Sequence, residues 1–220
     1  MSLRNHKEES KKGFDPVTPG THIARCWRMV ELGQQEKFYD GQSQGFKPML
    51  HIAFEIYDEP RVYDEAKGEE PAILGSKFTI SLHEKSKLRK TLQSWRGADY
   101  TDAEIKSGVD FTKVVGAPCM VNVVNKDLDG RKIGFIDSIV PVPKGVTIPD
   151  QHNASAIYEI DQMLADYKAN GHLDNYQMPD FMKRDIIEGS KEFNGASPGQ
   201  KADPAVANNT TPQTQQAPPF

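Results

Sequence analysis

The sequence is poor in apolar residues and has no long hydrophobic run. Only 37% of its 220 residues are hydrophobic, which is low for a fully packed globule and predicts that part of the chain lies outside the core. No apolar stretch approaches the roughly 18 residues that a membrane span needs. The charged start of the chain also lacks the apolar segment of a secretory signal. We therefore expect no membrane association and a cytoplasmic location.

Cysteine is scarce as well, with only Cys26 and Cys119 in the chain. The two residues are far apart and lack the spacing of a metal site. We expect both to be small buried residues that form no disulfide, as is usual in a reducing compartment. No metal site and no cofactor are predicted.

Positive charge is not in excess, since the formal net charge is −4. Nucleic-acid-binding domains are usually basic. Residues 151–200 contain four basic and eight acidic side chains, so the remaining 170 residues are neutral overall. Binding to a nucleic acid would therefore require a local basic path on the surface.

The pattern along the chain divides it into four regions. Residues 1–15 form a polar, flexible arm, and residues 195–220 form a tail rich in Pro, Gln, Ala and Thr that is expected to be disordered. Residues 148–194 form an acidic helical appendage. Its first helix is predicted to present Ile157, Ile160, Leu164 and Tyr167, and its second, starting at Pro179, to present Phe181, Met182 and Ile186. This pair is too small to fold alone, so we expect it to pack on the preceding domain, residues 16–147.

Residues 16–147 have a mainly β pattern. Leu50, Ile52, Phe54 and Ile56 alternate with other residues along one strand, and Asp129-Gly130 marks a hairpin between the last two strands. Between the third and fourth strands, the spacing of Leu88, Leu92 and Trp95 is that of one helix face. Three strands, a helix and two strands is the order of a five-stranded OB-fold barrel, in which the helix plugs one end.

The helix segment SLHEKSKLRKTLQSWRG has two interpretations. Five basic residues and one acid lie between Glu84 and Arg96. Lys85, Lys87, Arg89 and Lys90 form either the solvated face of a structural helix or a direct contact to DNA. The first interpretation is favoured because the apolar face fits the plug role and OB-folds usually bind ligands elsewhere.

OB-folds usually bind on strands 2 and 3 and on the loops joining strands 1–2 and 4–5. The predicted 1–2 loop, EKFYDGQSQGFKPM, places Phe38, Tyr39 and Phe46 beside lysines, and exposed rings beside cations suit unpaired bases and phosphates. Alternatively, single rings here and Trp27 belong to the core, and the 4–5 turn is an ordinary polar turn. The predicted DNA contacts are Arg25, Trp27, Arg28, Lys37, Phe38, Tyr39, Phe46, Lys47, His51, Lys77, Lys126, Arg131 and Lys132. The 2–3 connection, with six acids between Asp58 and Glu70, should repel phosphate.

The segments GTHIARCWRMVELG, SLHEKSKLRKTLQSWRG, DFTKVVGAPCMVNVV and IVPVPKG resemble a family of bacteriophage single-stranded DNA-binding proteins with an OB-fold. The resemblance covers residues 19–147 and the PDFMKRDIIEGS region. It implies binding of single-stranded DNA during phage replication or recombination in the bacterial cytoplasm. The terminal QAPPF is similar to the Pro-Phe end of bacterial single-stranded DNA-binding proteins, which recruits partner proteins. Because the acids of those tips are missing here, a plain solubilising tail is the alternative to docking of phage or host replication and recombination proteins.

Two other functions compete with DNA binding. One is an OB-type protein-interaction module of the phage replication machinery. The other is a metal-dependent nuclease, because Asp58 followed by Glu65-Ala66-Lys67 matches a loose nuclease pattern. That pattern lies in a Gly- and Pro-containing loop instead of on rigid strands, so we expect no enzymatic activity. An edge strand or the helical pair each offers a route to an oligomer.

Overall fold

Alternating apolar side chains produce long strands in the computed structural model, which describes residues 14–196. The predicted arm and tail lie outside the described residues, except for Phe14, Asp15, Gly195 and Ala196. The strands are β1 (Gly20–Tyr39), β2 (Gln42–Asp64), β3 (Gly68–Thr79), β4 (Pro118–Leu128), β5 (Arg131–Val140) and β6 (Ala156–Tyr158). The helices are α1 (Lys87–Arg96), α2 (Asp102–Ser107), a 3₁₀ turn (Phe111–Val114), α3 (Ile160–Asn170) and α4 (Asp180–Gly189).

The strands form one sheet in the order β3-β2-β1-β4-β5, with all these pairs antiparallel. A sixth strand, β6, pairs in parallel with β1. The mainly β fold with a helix between the third and fourth strands is therefore confirmed. Within residues 14–196 no hydrogen-bonded ladder joins β3 to β5, so the strands form an open sheet, and the predicted five-stranded OB-fold barrel is seen only as far as its mainly β character and its element order.

Two connections predicted as loops are β-hairpins. β1 and β2 stay paired out to Tyr39 and Gln42, and the turn residues Asp40 and Gly41 have φ of 49° and 72°. These left-handed values suit Asp-Gly in a tight hairpin turn. β2 and β3 likewise stay paired out to Asp64 and Gly68. The first hairpin contains aromatic residues and the second contains aromatic and β-branched ones, which favour extended backbone, and backbone pairing satisfies their polar groups.

Helix α1 is amphipathic, as predicted. Ser86 caps its start by accepting a hydrogen bond from the Arg89 amide, at 3.1 Å. Leu88, Leu92 and Trp95 are buried. Burying each stabilises the fold by roughly 2–3 kcal/mol. The helix thus contributes a hydrophobic face to the core and leaves its charged face outside.

The sheet is apolar on both faces at β1 and β2. A first core lies against α1 and includes Ile52 and Phe54 of β2. A second core lies on the opposite face, where Val30, Leu32 and Met49 pack against α3, α4 and the residues around them. The prediction that the helical pair packs on the preceding domain is confirmed.

Some details of the appendage differ from the prediction. Ile157 belongs to β6 and is 43% exposed, because α3 begins only at Ile160. Phe181 is 51% exposed, since a helix turns about 100° per residue and its neighbour Met182 takes the buried position. Both cysteines are buried and free, as expected. None of the helices between residues 14 and 196 is long and apolar enough to cross a membrane.

Candidate nucleic-acid interface

The outer face of β1 and of the neighbouring part of β2 is covered by the helical appendage. Four predicted DNA contacts belong to this covered region: Arg25, Trp27, Arg28 and His51. Trp27 and Arg28 are each only 3% exposed. Their predicted availability to a DNA ligand depended on an uncovered outer face, which the folded chain does not have.

The two arginines of this region are engaged by the protein itself. The Arg25 guanidinium donates to the carbonyls of Gly116, at 2.8 Å, and Pro149, at 3.0 Å. Arg28 donates to the carbonyl of Gln177 and lies 4.5 Å from the centre of the Trp27 ring. Both side chains therefore tie the appendage and its linker to β1, and we leave them out of the candidate interface.

His51 carries no charge that a phosphate could use. Burial, together with the nearby Arg28 and Lys77, lowers the pKa of His51 to about 3. The imidazole is therefore neutral near pH 7. Its role at a ligand site is limited to hydrogen bonding and packing.

The paired ends of β1 and β2, residues 36–47, form a projecting hairpin that we call the hairpin arm. Its rings are exposed, Phe38 by 64%, Tyr39 by 77% and Phe46 by 44%, and the Lys191 ammonium lies 5.9 Å from the centre of the Phe46 ring. Lys47 is exposed and Lys37 half-buried. The prediction of exposed rings beside cations is confirmed for this segment, although it is a strand pair instead of a loop.

A line of lysines runs from the hairpin arm across the sheet to β4. Three neighbouring concave surfaces all include Lys87, and two of them also share Lys77. We call the lysines that line these three surfaces the lysine path. Its members are Lys37, Lys77, Lys85, Lys87, Lys90 and Lys126.

The start of α1 lies in the middle of the lysine path. Lys87 is the first residue of α1, and the first turn of that helix contains no acid. The positive end of the helix dipole therefore adds to the field of the lysines. Two acids reduce this positive field. Asp137 lines two of the concave surfaces, and Asp185 accepts a hydrogen bond from Lys77 at 2.6 Å.

The β4–β5 hairpin divides its cations between two surfaces. Lys126 belongs to the lysine path, with its ammonium 5.5 Å from the centre of the Phe135 ring. The pairing register places Arg131 on the same face of the hairpin as Lys126. Lys132 instead lines a different concavity, together with Phe14 and Tyr63. The structure thus places Lys126 on the lysine path and Lys132 on a different surface.

The β2–β3 hairpin exposes acidic side chains, which would repel phosphate. Glu65 lies in its exposed turn. The Asp58 carboxylate lies 3.0 Å from Nδ1 of His22. The two carboxylates of the loose nuclease pattern are thus used separately. Across residues 14–196, no group of three or more His, Cys, Asp or Glu side chains has an arrangement that could hold a metal ion.

Sequence reasoning left several side chains out of its list of contacts. The solvated face of α1, with Lys85, Lys87 and Lys90, was favoured as structural. The helix can nevertheless bury its apolar face in the core and contribute these lysines to the lysine path. Phe135 and Phe181 were not considered as contacts. The dense basic run in SLHEKSKLRKTL was the one signal in the sequence that pointed to this surface.

No known protein-family model matches this chain, and no curated protein matches it either.

Proposed function

We propose that this protein binds single-stranded DNA with little sequence preference, along the lysine path and the hairpin arm. The observation that carries the proposal is the lysine path itself. It gives a chain with a net charge of −4 a continuous basic surface, with exposed rings at one end. Cations that track a backbone and rings that stack on bases are the two components of sequence-tolerant single-strand binding.

The strand arrangement supports an OB-type architecture within this proposal. β1 pairs with both β2 and β4, the helix α1 lies between β3 and β4, and Cα atoms of β3 approach those of β5 within 8 Å. An OB-fold is itself only partly open. In the proposed arrangement the appendage covers β1 and part of β2, and DNA uses the neighbouring surface of β3 and α1.

The proposed biological role follows from the family resemblance. The protein would coat exposed strands during phage DNA replication or recombination in the bacterial cytoplasm. It would hold those strands unpaired for the enzymes that act on them and perform no chemistry itself. Phage or host replication and recombination proteins are the proposed partners.

A titration of a fluorescent oligothymidylate at several salt concentrations tests the proposal. Each phosphate that a lysine neutralises on a single strand contributes about −0.7 to the slope of log K against log salt. We expect Lys87→Gln to weaken binding and to make the slope less steep by about that amount. The control is Lys67→Gln, which removes an exposed lysine from the acidic β2–β3 hairpin, and it should leave the slope unchanged.

Two results would overturn the proposal. One is the absence of binding by the parent protein at low salt. The other is an equal effect of Lys87→Gln and Lys67→Gln, which would mean that only overall charge matters.

A second candidate function is a protein-interaction module. A cavity of about 430 Å³ between α1 and the following turns is lined by Trp95, Tyr100 and Val114. These apolar side chains, together with charged ones such as Arg96 and Glu104 in the same lining, suit an inserted side chain of a partner protein. If the parent protein does not bind the oligonucleotide at low salt, that result would favour this function.

A further inference from the structure

The two end strands of the sheet, β3 and β5, lie close together without a ladder between them among the described residues. At one end of this gap, Phe14 and Val17 line a concavity with Ile73 of β3 and Ile133 of β5. At the other end the gap opens into a cleft of about 550 Å³. We call it the seam cleft, and its volume is in the range of small-ligand sites.

Aromatic rings from two separate elements line the seam cleft. Phe135 comes from β5 and Phe181 from the first turn of α4. Phe181 is 51% exposed, while its neighbour Met182 and, one turn later, Ile186 supply the packing of α4. The Phe181 ring is therefore not needed to hold the helix in place, and it offers a free apolar surface to a ligand.

The cations of the seam cleft favour an anionic ligand. Lys77, Lys87 and Lys126 all line it, against Asp137 as the acid among its lining residues. Lys77 is also bonded to Asp185, so a phosphate would compete with that carboxylate. Three lysines beside two rings match a ligand that is aromatic at one end and anionic at the other.

The remaining lining mixes polar and apolar residues, namely His51, Ser76, Val124 and Ile136, and it owes part of its shape to the missing side chain of a glycine. A Cβ atom at Gly75 would lie 2.4 Å from the His51 ring, so only glycine leaves room there. His51 is 9% exposed, and its Nδ1 has no hydrogen-bond partner within residues 14–196.

We infer that the seam cleft holds one nucleotide of a bound single strand, with its base against Phe181 and Phe135 and its phosphates on Lys77, Lys87 and Lys126. This inference rests on the proposed function, since it assigns one position of the same bound strand. It makes the appendage a direct participant, because α4 supplies one of the two rings. The strand would enter from the lysine path and place a base between the sheet and α4.

Substitution of Phe181 tests this inference, because its exposed ring can be changed without opening the core. Stacking contributes about 1–3 kcal/mol per base, which corresponds to a loss of about 5- to 150-fold in affinity when the ring is removed. We expect Phe181→Leu to weaken oligothymidylate binding within that range, with an unchanged melting temperature. The matched control, Phe181→Tyr, keeps the ring and should bind like the parent.

Photo-crosslinking adds a direct readout of position. An oligothymidylate that carries one 5-iododeoxyuridine should crosslink to the peptides that contain Phe181 or Phe135, as identified by mass spectrometry. If the parent binds DNA but Phe181→Leu binds equally well and crosslinks form only on the hairpin arm, the seam cleft is overturned and the proposed function stands. If the parent does not bind the oligonucleotide at low salt, both fail together.

Discussion

His51 shows at the scale of one residue how a covered surface changes side-chain chemistry. The strand pattern puts His51 on the face opposite Leu50 and Ile52, where a polar residue normally meets water. In the folded chain that face is covered by the appendage, and burial leaves the imidazole neutral, with a pKa of about 3. His51, which was predicted as a DNA contact, is therefore a buried and neutral side chain.

The stability of the protein should reflect this shift in the pKa of His51. The unfolded chain binds a proton near the ordinary value of 6.5, whereas the folded chain does so only near pH 3. Stability is therefore lost as the pH falls from 6.5 toward 3, at up to about 1.4 kcal/mol per pH unit from this group. Urea unfolding of the parent and of His51→Gln at pH 7.5, 6 and 5 measures it.

The free energy of unfolding of the parent should fall relative to that of His51→Gln by about 2 kcal/mol between pH 7.5 and pH 5. Other titrating groups are common to both proteins and cancel in this difference. A gap that stays constant from pH 7.5 to pH 5 would mean that His51 is accessible to protons in the folded state.

The burial of some residues could be predicted from the sequence, and the burial of others could not. Leu88, Leu92 and Trp95 were predictable because helical spacing and apolar character agree at all three positions. The burial of Trp27 was one of two interpretations that the sequence left open. The burial of Arg28 was not predictable, because Gln177 of the appendage, whose carbonyl accepts its hydrogen bond, comes more than 100 residues later in the chain. Local alternation reports which face a side chain is on and says nothing about what covers that face.

At the scale of elements, the hairpin arm is the clearest case of exposure without a packing role. Its rings lie beyond both cores, at the end of a strand pair held by backbone bonds. Its length was underestimated from sequence because Gly- and Gln-rich stretches look like loops. The chemistry of its side chains was predictable, while the regular pairing of its backbone was not.

The double change Phe38→Ala with Tyr39→Ala should weaken binding of single-stranded DNA by about 5-fold or more, on the basis of about 1–3 kcal/mol per stacked base. The melting temperature should not fall, because both rings are exposed. Val62→Ala is the matched control, as an exposed apolar side chain on the acidic β2–β3 hairpin. A clear drop in melting temperature with unchanged affinity would show that the two rings support the fold instead.

At the scale of the whole molecule, β1 joins the parts into one unit. One edge of β1 pairs with β2, and the other edge meets β4, β6 and then Ser190 in turn. Glu55, which is fully buried on β2, accepts bonds from the amides of His152 and Asn153 and so holds the linker to the appendage. The sheet and the appendage therefore share their central strands.

We expect the sheet and the appendage to unfold in a single transition. Ile186→Ala, a cavity in the second core, should cost about 2–5 kcal/mol. In a Trp27→Phe background, that loss should shift urea unfolding equally whether it is followed by the fluorescence of Trp95 or by circular dichroism at 222 nm, since Trp95 lies in the first core. A fluorescence transition that does not move while the circular dichroism transition does would mean that the appendage detaches on its own.

The two-sided packing of β1 and β2 also determines where the chain tolerates a change in length. Neighbouring positions on these strands serve opposite cores, so one inserted residue would exchange the two sets of side chains. The turn Glu65–Lys67 escapes this constraint, because it is exposed and lies beyond the paired residues of β2 and β3. A fluorophore tag or a fused peptide placed in that turn would leave the packing of both layers and the lysine path intact.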